Sequence, residues 1–362
     1  MQSYSEIESQ FRPAEKAPSS FSFGAGLGTW FISVALIFVV QIVAVLIYLT
    51  VVSVKNGQMP TTPEQMLTKG FALVAIGSTF IAHILTVLFC WLLITKRLHL
   101  PFLNAQGWNW HPKFRLMHAV ILGGLMILLA IVCSQFLKHT ETDMDKMLKL
   151  GTSIRILTVI LAVFSAPFVE EFVYRGILYP GLENATRQQI AWLTGCFFSL
   201  IVAGITFVIL PSVAPQFFGS GNSADGLLIG VAKLAVATVV GAVAVLPIKI
   251  VAEKILEALI NSDFGERQTV VGWSIAYTAL LFALVHVPQY WGSTAAITTI
   301  MILSVVLTLL RTYTGSILPT VATHFVYNGV QSIMLLAGLT DDGTKEKATQ
   351  ALIWGGQWIG IW

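Results

Sequence analysis

The chain has 362 residues, of which 56% are apolar and only 11% are Asp, Glu, Lys or Arg. A soluble domain carries about 25% charged residues, so a water-soluble globule is excluded, and three cysteines are too few for a disulfide-stapled secreted fold. The formal charge of +3 is scattered, with no basic run, which argues against nucleic acid as a partner.

Residues 1–29 hold Arg12, Pro13, Lys16 and Pro18 but no short apolar core before a small-residue cleavage site. They read as a cytoplasmic N-terminal tail and not as a cleavable signal peptide. A membrane helix needs about 20 mostly apolar residues. Runs of that kind lie at about 30–54, 71–95, 115–137, 154–180, 190–211, 226–250, 270–288, 294–311 and 316–338. The predicted fold class is therefore all-α: a polytopic membrane helix bundle of about nine transmembrane helices, or eight if the Gly-rich run near 226–250 inserts only partly. The runs are continuous rather than alternating, which excludes a β-barrel.

The connecting segments have loop composition. Lys55 to Thr68 contains Gly57, Pro60 and Pro63, and Leu98 to Lys113 contains Trp108 and Trp110, which read as interfacial anchors. Lys96, Arg97, Lys113 and Arg115 place the latter loop on the cytoplasmic side, with the N-terminus. Lys138 to Leu150 alternates acids and bases, as a solvated helical link would, and Pro211 to Gly226 reads as a flexible loop. Residues 339–362 form a C-terminal tail whose end, Trp354 to Trp362, suits the membrane interface. Cys90, Cys133 and Cys196 all lie within apolar runs and read as small hydrophobes.

An ionisable group inside a membrane span is expensive unless it pairs, faces a wet cavity or acts chemically. Glu170, Glu171 and Arg175 follow an uncharged stretch, Ile156 to Val169. The remaining polar groups within spans are chiefly His83, Lys233, His286, His324 and Asn328. Glu171 and Arg175 are four apart, share a helix face and can pair. Glu170 is rotated by about 100° from its neighbour and points elsewhere, so the two acids have different jobs. A structural ion-pair network accounts for this cluster equally well. His286, near a helix end before Pro288, reads as structural or catalytic. His324 and Asn328, four apart, can donate to one small group or simply bind helices together. Taken jointly, a free carboxylate, two imidazoles and an amide from different spans are the parts for activating water and stabilising an oxyanion.

The three signatures, EExxxR at Glu170–Arg175, FxxxH at Phe282–His286 and HxxxN at His324–Asn328, resemble those of the CPBP family of intramembrane proteases, which includes CAAX prenyl endopeptidases and Abi or bacteriocin-processing proteins. The resemblance covers about 154–338. It implies 30–150 as N-terminal transmembrane helices and 151–338 as the catalytic bundle, with an inserted helical pair at about 190–268. Two extra crossings leave the following helix in its original direction, so His286 can still reach the depth of Glu170.

By the same resemblance Glu170 is the base that activates water, His286 helps hold that water, and His324 with Asn328 stabilises the oxyanion. Glu171 and Arg175 support the motif, and Phe282 is a packing position. No cofactor is expected, although Glu170, His286 and His324 have ligand chemistry for zinc, the alternative left open. The implied partner is a membrane-associated peptide or protein substrate within the lipid bilayer of the cell membrane. The oligomeric state is open. A non-catalytic scaffold or immunity-type protein of the same fold is the alternative function, and a transporter with buried acidic relays is a third class.

Overall fold

The computed structural model describes residues 21–60, 62–138, 140–214, 225–262 and 265–337. The N-terminal tail apart from its last few residues, the C-terminal tail with Trp354–Trp362, and most of the 211–226 loop lie outside them. No strand occurs among the described residues. Nine long helical stretches do: α1 (Phe23–Asn56), α2 (Lys69–Arg97), α3 (Leu116–Phe136), α4 (Thr152–Glu183), α5 (Arg187–Val213), α6 (Asp225–Ile260), α7 (Gly265–His286), α8 (Thr294–Thr314) and α9 (Leu318–Ala337). Eight are long and apolar enough to cross a membrane. The exception is α9 and not the Gly-rich run, which forms part of a full-length span within α6. The physical reason is composition, since α9 carries His324, Asn328 and Gln331 along its length.

The chain divides into two compact units, Met1–Leu182 with Ser274–Trp362, and Glu183–Trp273. The second is built on an antiparallel hairpin of α5 and α6. Its two helices approach closely where glycine permits: a Cβ on Gly195 would meet the Val245 carbonyl at 2.9 Å, and one on Gly241 would meet the Ser199 carbonyl at 3.0 Å. Small residues at a crossing are how membrane helices gain packing contact without a hydrophobic driving force. A capping box starts α5, with Thr186 N donating to Gln189 Oε1 and Gln189 N to Thr186 Oγ1. Lys249 pairs with Glu253 at 2.6 Å and lies over the Trp192 ring, so this charge is met within the unit.

In the first unit α2 and α4 run parallel. Ala72 and Ile76 pack with Ile154, and His83 meets Ser165 further along. α1 is anchored to α4 by a glycine-to-glycine crossing, where a Cβ on Gly181 would come within 2.8 Å of Gly26 Cα. Beside it Trp30 Nε1 donates to the Tyr174 hydroxyl at 3.2 Å. α3 packs on α8 and α9 through Met126, Ile127, Leu303, Leu307 and Tyr327.

The loops are more ordered than their composition suggests. The link from Lys138 contains a short helix, Asp143–Leu148, capped by Thr142, whose hydroxyl and amide both donate to Asp145. Its outer face carries exposed Lys146–Asp143 and Lys149–Glu141 pairs, as expected for a solvated link. The half-buried indole of Trp108 packs on Phe168 and Phe172 of α4, and Trp110 stays 38% exposed.

Helix α4 is irregular where it matters. Wide π-type turns at Leu161–Ser165 and Phe172–Leu178 flank the segment Ala166–Glu171. Proline in a helix interior lacks a donor and clashes with the preceding turn, and Pro167 sits just after the first wide turn. Single wide turns of this kind re-seat the main chain around such a defect.

The crossing of α1 on α4 gives the first test. Gly181→Val should lower the thermal unfolding temperature of the detergent-solubilised chain by several degrees, because backbone faces backbone there. Gly28→Ala, which meets nothing within 4 Å, should leave it unchanged or raise it through helix propensity.

Candidate active site

Four of the bundle's helices bring the polar residues together. Arg175 and Glu171 of α4 are both 0% exposed, with Arg175 Nη1 donating to Glu171 Oε1 at 2.9 Å. The guanidinium is further satisfied from α8, by Ser304 O at 2.9 Å, Ser304 Oγ at 2.6 Å and Thr308 Oγ1 at 3.3 Å. The Phe282 ring of α7 covers it at 4.8 Å. A buried ion pair needs its remaining donors matched in this way, and those of the guanidinium are, while Glu171 Oε2 accepts no hydrogen bond among the described residues.

The same Glu171 oxygen accepts from His324 Nδ1 at 2.9 Å. That bond fixes the ring, so Nδ1 carries a proton and Nε2 faces the other way. Nε2 lies 3.8 Å from Glu170 Oε2. His286 is oriented by an equivalent device. Its Nδ1 donates to the Phe282 carbonyl one turn earlier, at 2.7 Å, and its Nε2 lies 4.0 Å from Glu170 Oε1. Glu170 thus faces two imidazole nitrogens, one near each oxygen, at distances longer than a direct hydrogen bond. Its side chain is 20% exposed, unlike that of its neighbour.

Glu170, His286, His324 and Asn328 all line one cavity of about 580 Å³. It extends from this centre along α1 and α2 and reaches Met144 and Met147 of the 138–150 link. Tyr290 stacks beside His286. Burial pushes the Tyr290 phenol well above the usual tyrosine range, so it stays protonated.

Asn328 has a partner that no spacing rule reveals. Its Nδ2 donates to the Ala162 carbonyl at 2.7 Å. In the wide turn Ala166 N pairs with Leu161 O. The next donor in that register would come from Pro167, which has none. The Asn328 amide therefore occupies an otherwise orphaned carbonyl and retains one N–H for another acceptor.

Further partners of this centre were legible only as unusual residues or not at all. His83 of α2, one of the ionisable groups noted within spans, meets Ser165 Oγ through Nδ1 at 2.8 Å. Ser304 and Thr308, the α8 partners of Arg175, carry no signal in the sequence beyond their i,i+4 spacing.

The zinc alternative can be weighed against this geometry. Glu170, His286 and His324 supply suitable donor types. Tetrahedral zinc, with bonds of about 2.0–2.1 Å, holds its ligand atoms roughly 3.4 Å apart, closer than the 3.8 and 4.0 Å found here. Among the described residues no group of three His, Cys, Asp or Glu is arranged to hold a metal ion.

The fold and this centre define a multi-pass helical membrane protein with a carboxylate–imidazole cluster enclosed between its helices. The family model described as type II CAAX prenyl endopeptidase Rce1-like matches residues 152–330, which contain all three motifs. Those residues match that family, as the resemblance of the motifs implies, and the match supports an intramembrane endopeptidase of the CAAX type in general. Comparisons with curated proteins and with solved structures found no match.

The Asn328 contact is testable by repair. Asn328→Ala leaves the Ala162 carbonyl unpaired and should cost about 1–3 kcal/mol in stability. Adding Pro167→Ala, which returns a main-chain N–H to that register, should recover part of the loss in thermal unfolding.

Proposed function

We propose that this chain hydrolyses a peptide bond in a membrane-associated peptide or protein, using water activated by Glu170 and His286. The observation that carries this reading is the pair of imidazole Nε2 atoms turned towards the two oxygens of Glu170, at 3.8 and 4.0 Å. A gap of that size between polar groups is bridged by a water molecule in many proteins.

Glu170 takes a proton from the bridging water while His286 Nε2 holds it. The hydroxide adds to the scissile carbonyl carbon, and the carbonyl oxygen becomes an oxyanion. His324 Nδ1–H is committed to Glu171, so donation to the oxyanion from Nε2 requires a ring protonated on both nitrogens. The N–H of Asn328 not used on Ala162 is the second donor. Collapse of the intermediate breaks the C–N bond, and the proton held by Glu170 passes to the leaving amine. Removing one oxyanion donor typically costs on the order of 10²–10³ in rate.

This chemistry needs no metal ion. Activity of the purified chain should therefore survive dialysis against a zinc chelator, and loss of activity restored by added zinc would contradict the mechanism. The substrate class is tested in membranes. Quantitative N-terminal proteomics of wild type against Glu170→Ala should reveal new peptide termini in wild type only. If no terminus depends on Glu170, the cavity serves a non-catalytic binding role instead.

A further inference from the structure

The polar groups on the α1 and α2 wall of the cavity mostly satisfy themselves. Ser33 Oγ donates to Trp30 O, Ser78 and Thr79 donate to Ala75 O, and Gln41 Nε2 donates to Thr79 Oγ1. Two do not. Thr86 is 2% exposed, yet its Oγ1 has no hydrogen-bond partner. Thr79, Thr95 and Thr158 donate to the carbonyl one turn earlier, the usual outlet for a helical threonine. Thr86 does not use that outlet. One turn before it, His83 is 7% exposed and uses Nδ1 on Ser165, with no partner at Nε2 among the described residues.

Both side chains line the cavity that contains Glu170 and Asn328. Their depth matches the reacting centre. Val87 packs in the cluster that includes Phe168 and Phe172, so Thr86 lies level with Glu170 across the parallel pair of helices. Positions i and i+3 are neighbours on one helix face. The wall facing the carboxylate therefore holds two adjacent groups with unspent hydrogen-bonding capacity. A buried hydroxyl without a partner costs about 1–3 kcal/mol, and such groups persist where a ligand completes them.

We propose that His83 and Thr86 form a main-chain recognition subsite, which binds the extended peptide backbone beside the scissile bond. The assignment rests on the peptidase reading of the same cavity. A peptide bond can be attacked only when its segment is unwound, and an unwound segment shielded from bulk water must find partners for its N–H and C=O groups. A threonine hydroxyl donates and accepts, and the imidazole does either according to which way the Ser165 hydroxyl points. Together they can take one N–H and one C=O. Thr86 Oγ1 is itself buried, so the subsite requires a turn about χ1 that carries the hydroxyl to the cavity face.

The test uses the full chain in detergent with a fluorescent farnesylated CAAX peptide and esters of it, each replacing one main-chain amide near the scissile bond. Binding is measured on the Glu170→Gln background, which separates it from turnover. Thr86→Val should weaken peptide binding about tenfold while leaving the unfolding temperature unchanged or raised, because it removes an unsatisfied buried hydroxyl. Thr86→Ser should restore binding. One ester should weaken binding to the parent chain about as much as Thr86→Val does, and should cause no further loss in the Thr86→Val chain.

A Thr86→Val chain that binds normally, losses that simply add, or a fall in stability matching the fall in binding would overturn the subsite. So would absence of saturable peptide binding. If the peptide binds as expected but the chain with Glu170 intact does not cleave it, the peptidase reading fails while the subsite stands.

Discussion

The arrangement depends on one interaction, the fully buried bond between Arg175 and Glu171. Neither charge would survive alone in this position, and removing one partner of such a pair costs about 3–5 kcal/mol. Their mutual attraction is completed by the Ser304 and Thr308 groups of α8 and by the Phe282 ring of α7. The pair thereby ties three helices to a common depth. It also gives His324 a fixed acceptor, so that the orientation of a fourth helix's imidazole is set by electrostatics rather than by packing alone.

That constraint explains why two adjacent glutamates serve different ends. Glu171 is consumed by Arg175 and His324, while Glu170 is left facing the cavity and two oriented imidazoles. The irregularity of α4 belongs to the same design. Pro167 and the wide turns around it reshape the segment that carries both acids, and Asn328 fills the carbonyl left over. Asn328 is thus tied to the backbone of α4 as well as to the cavity, and in the proposed reaction its remaining N–H is the one that serves the oxyanion.

Much of this was legible in the sequence, for stated physical reasons. Membrane spans announce themselves by continuous apolar length, and eight of the nine expected runs form helices apolar enough to cross. The ninth run also forms a helix but is too polar by composition, because a face devoted to His324, Asn328 and Gln331 is traded against lipid solubility. The pairing of Glu171 with Arg175, and its separation from Glu170, followed from helical geometry. Tertiary partners did not. The Ala162 carbonyl, the α8 hydroxyls and the Ser165 bond of His83 involve groups common in any helix, and only the fold brings them into contact. The contacts of the Trp108 indole with Phe168 and Phe172 were hidden in the same way.

The central claim is that the Arg175–Glu171 pair aims His324 so that Glu170, His324 and His286 can share one water. An experimental structure of the chain in lipid nanodiscs, with ordered solvent visible, tests it directly. The account predicts a water within hydrogen-bonding distance of Glu170 and His286 Nε2, with His324 Nδ1 still on Glu171. Direct contact of Glu170 with both imidazoles and no solvent between them, or a His324 ring turned away from Glu171, would contradict it.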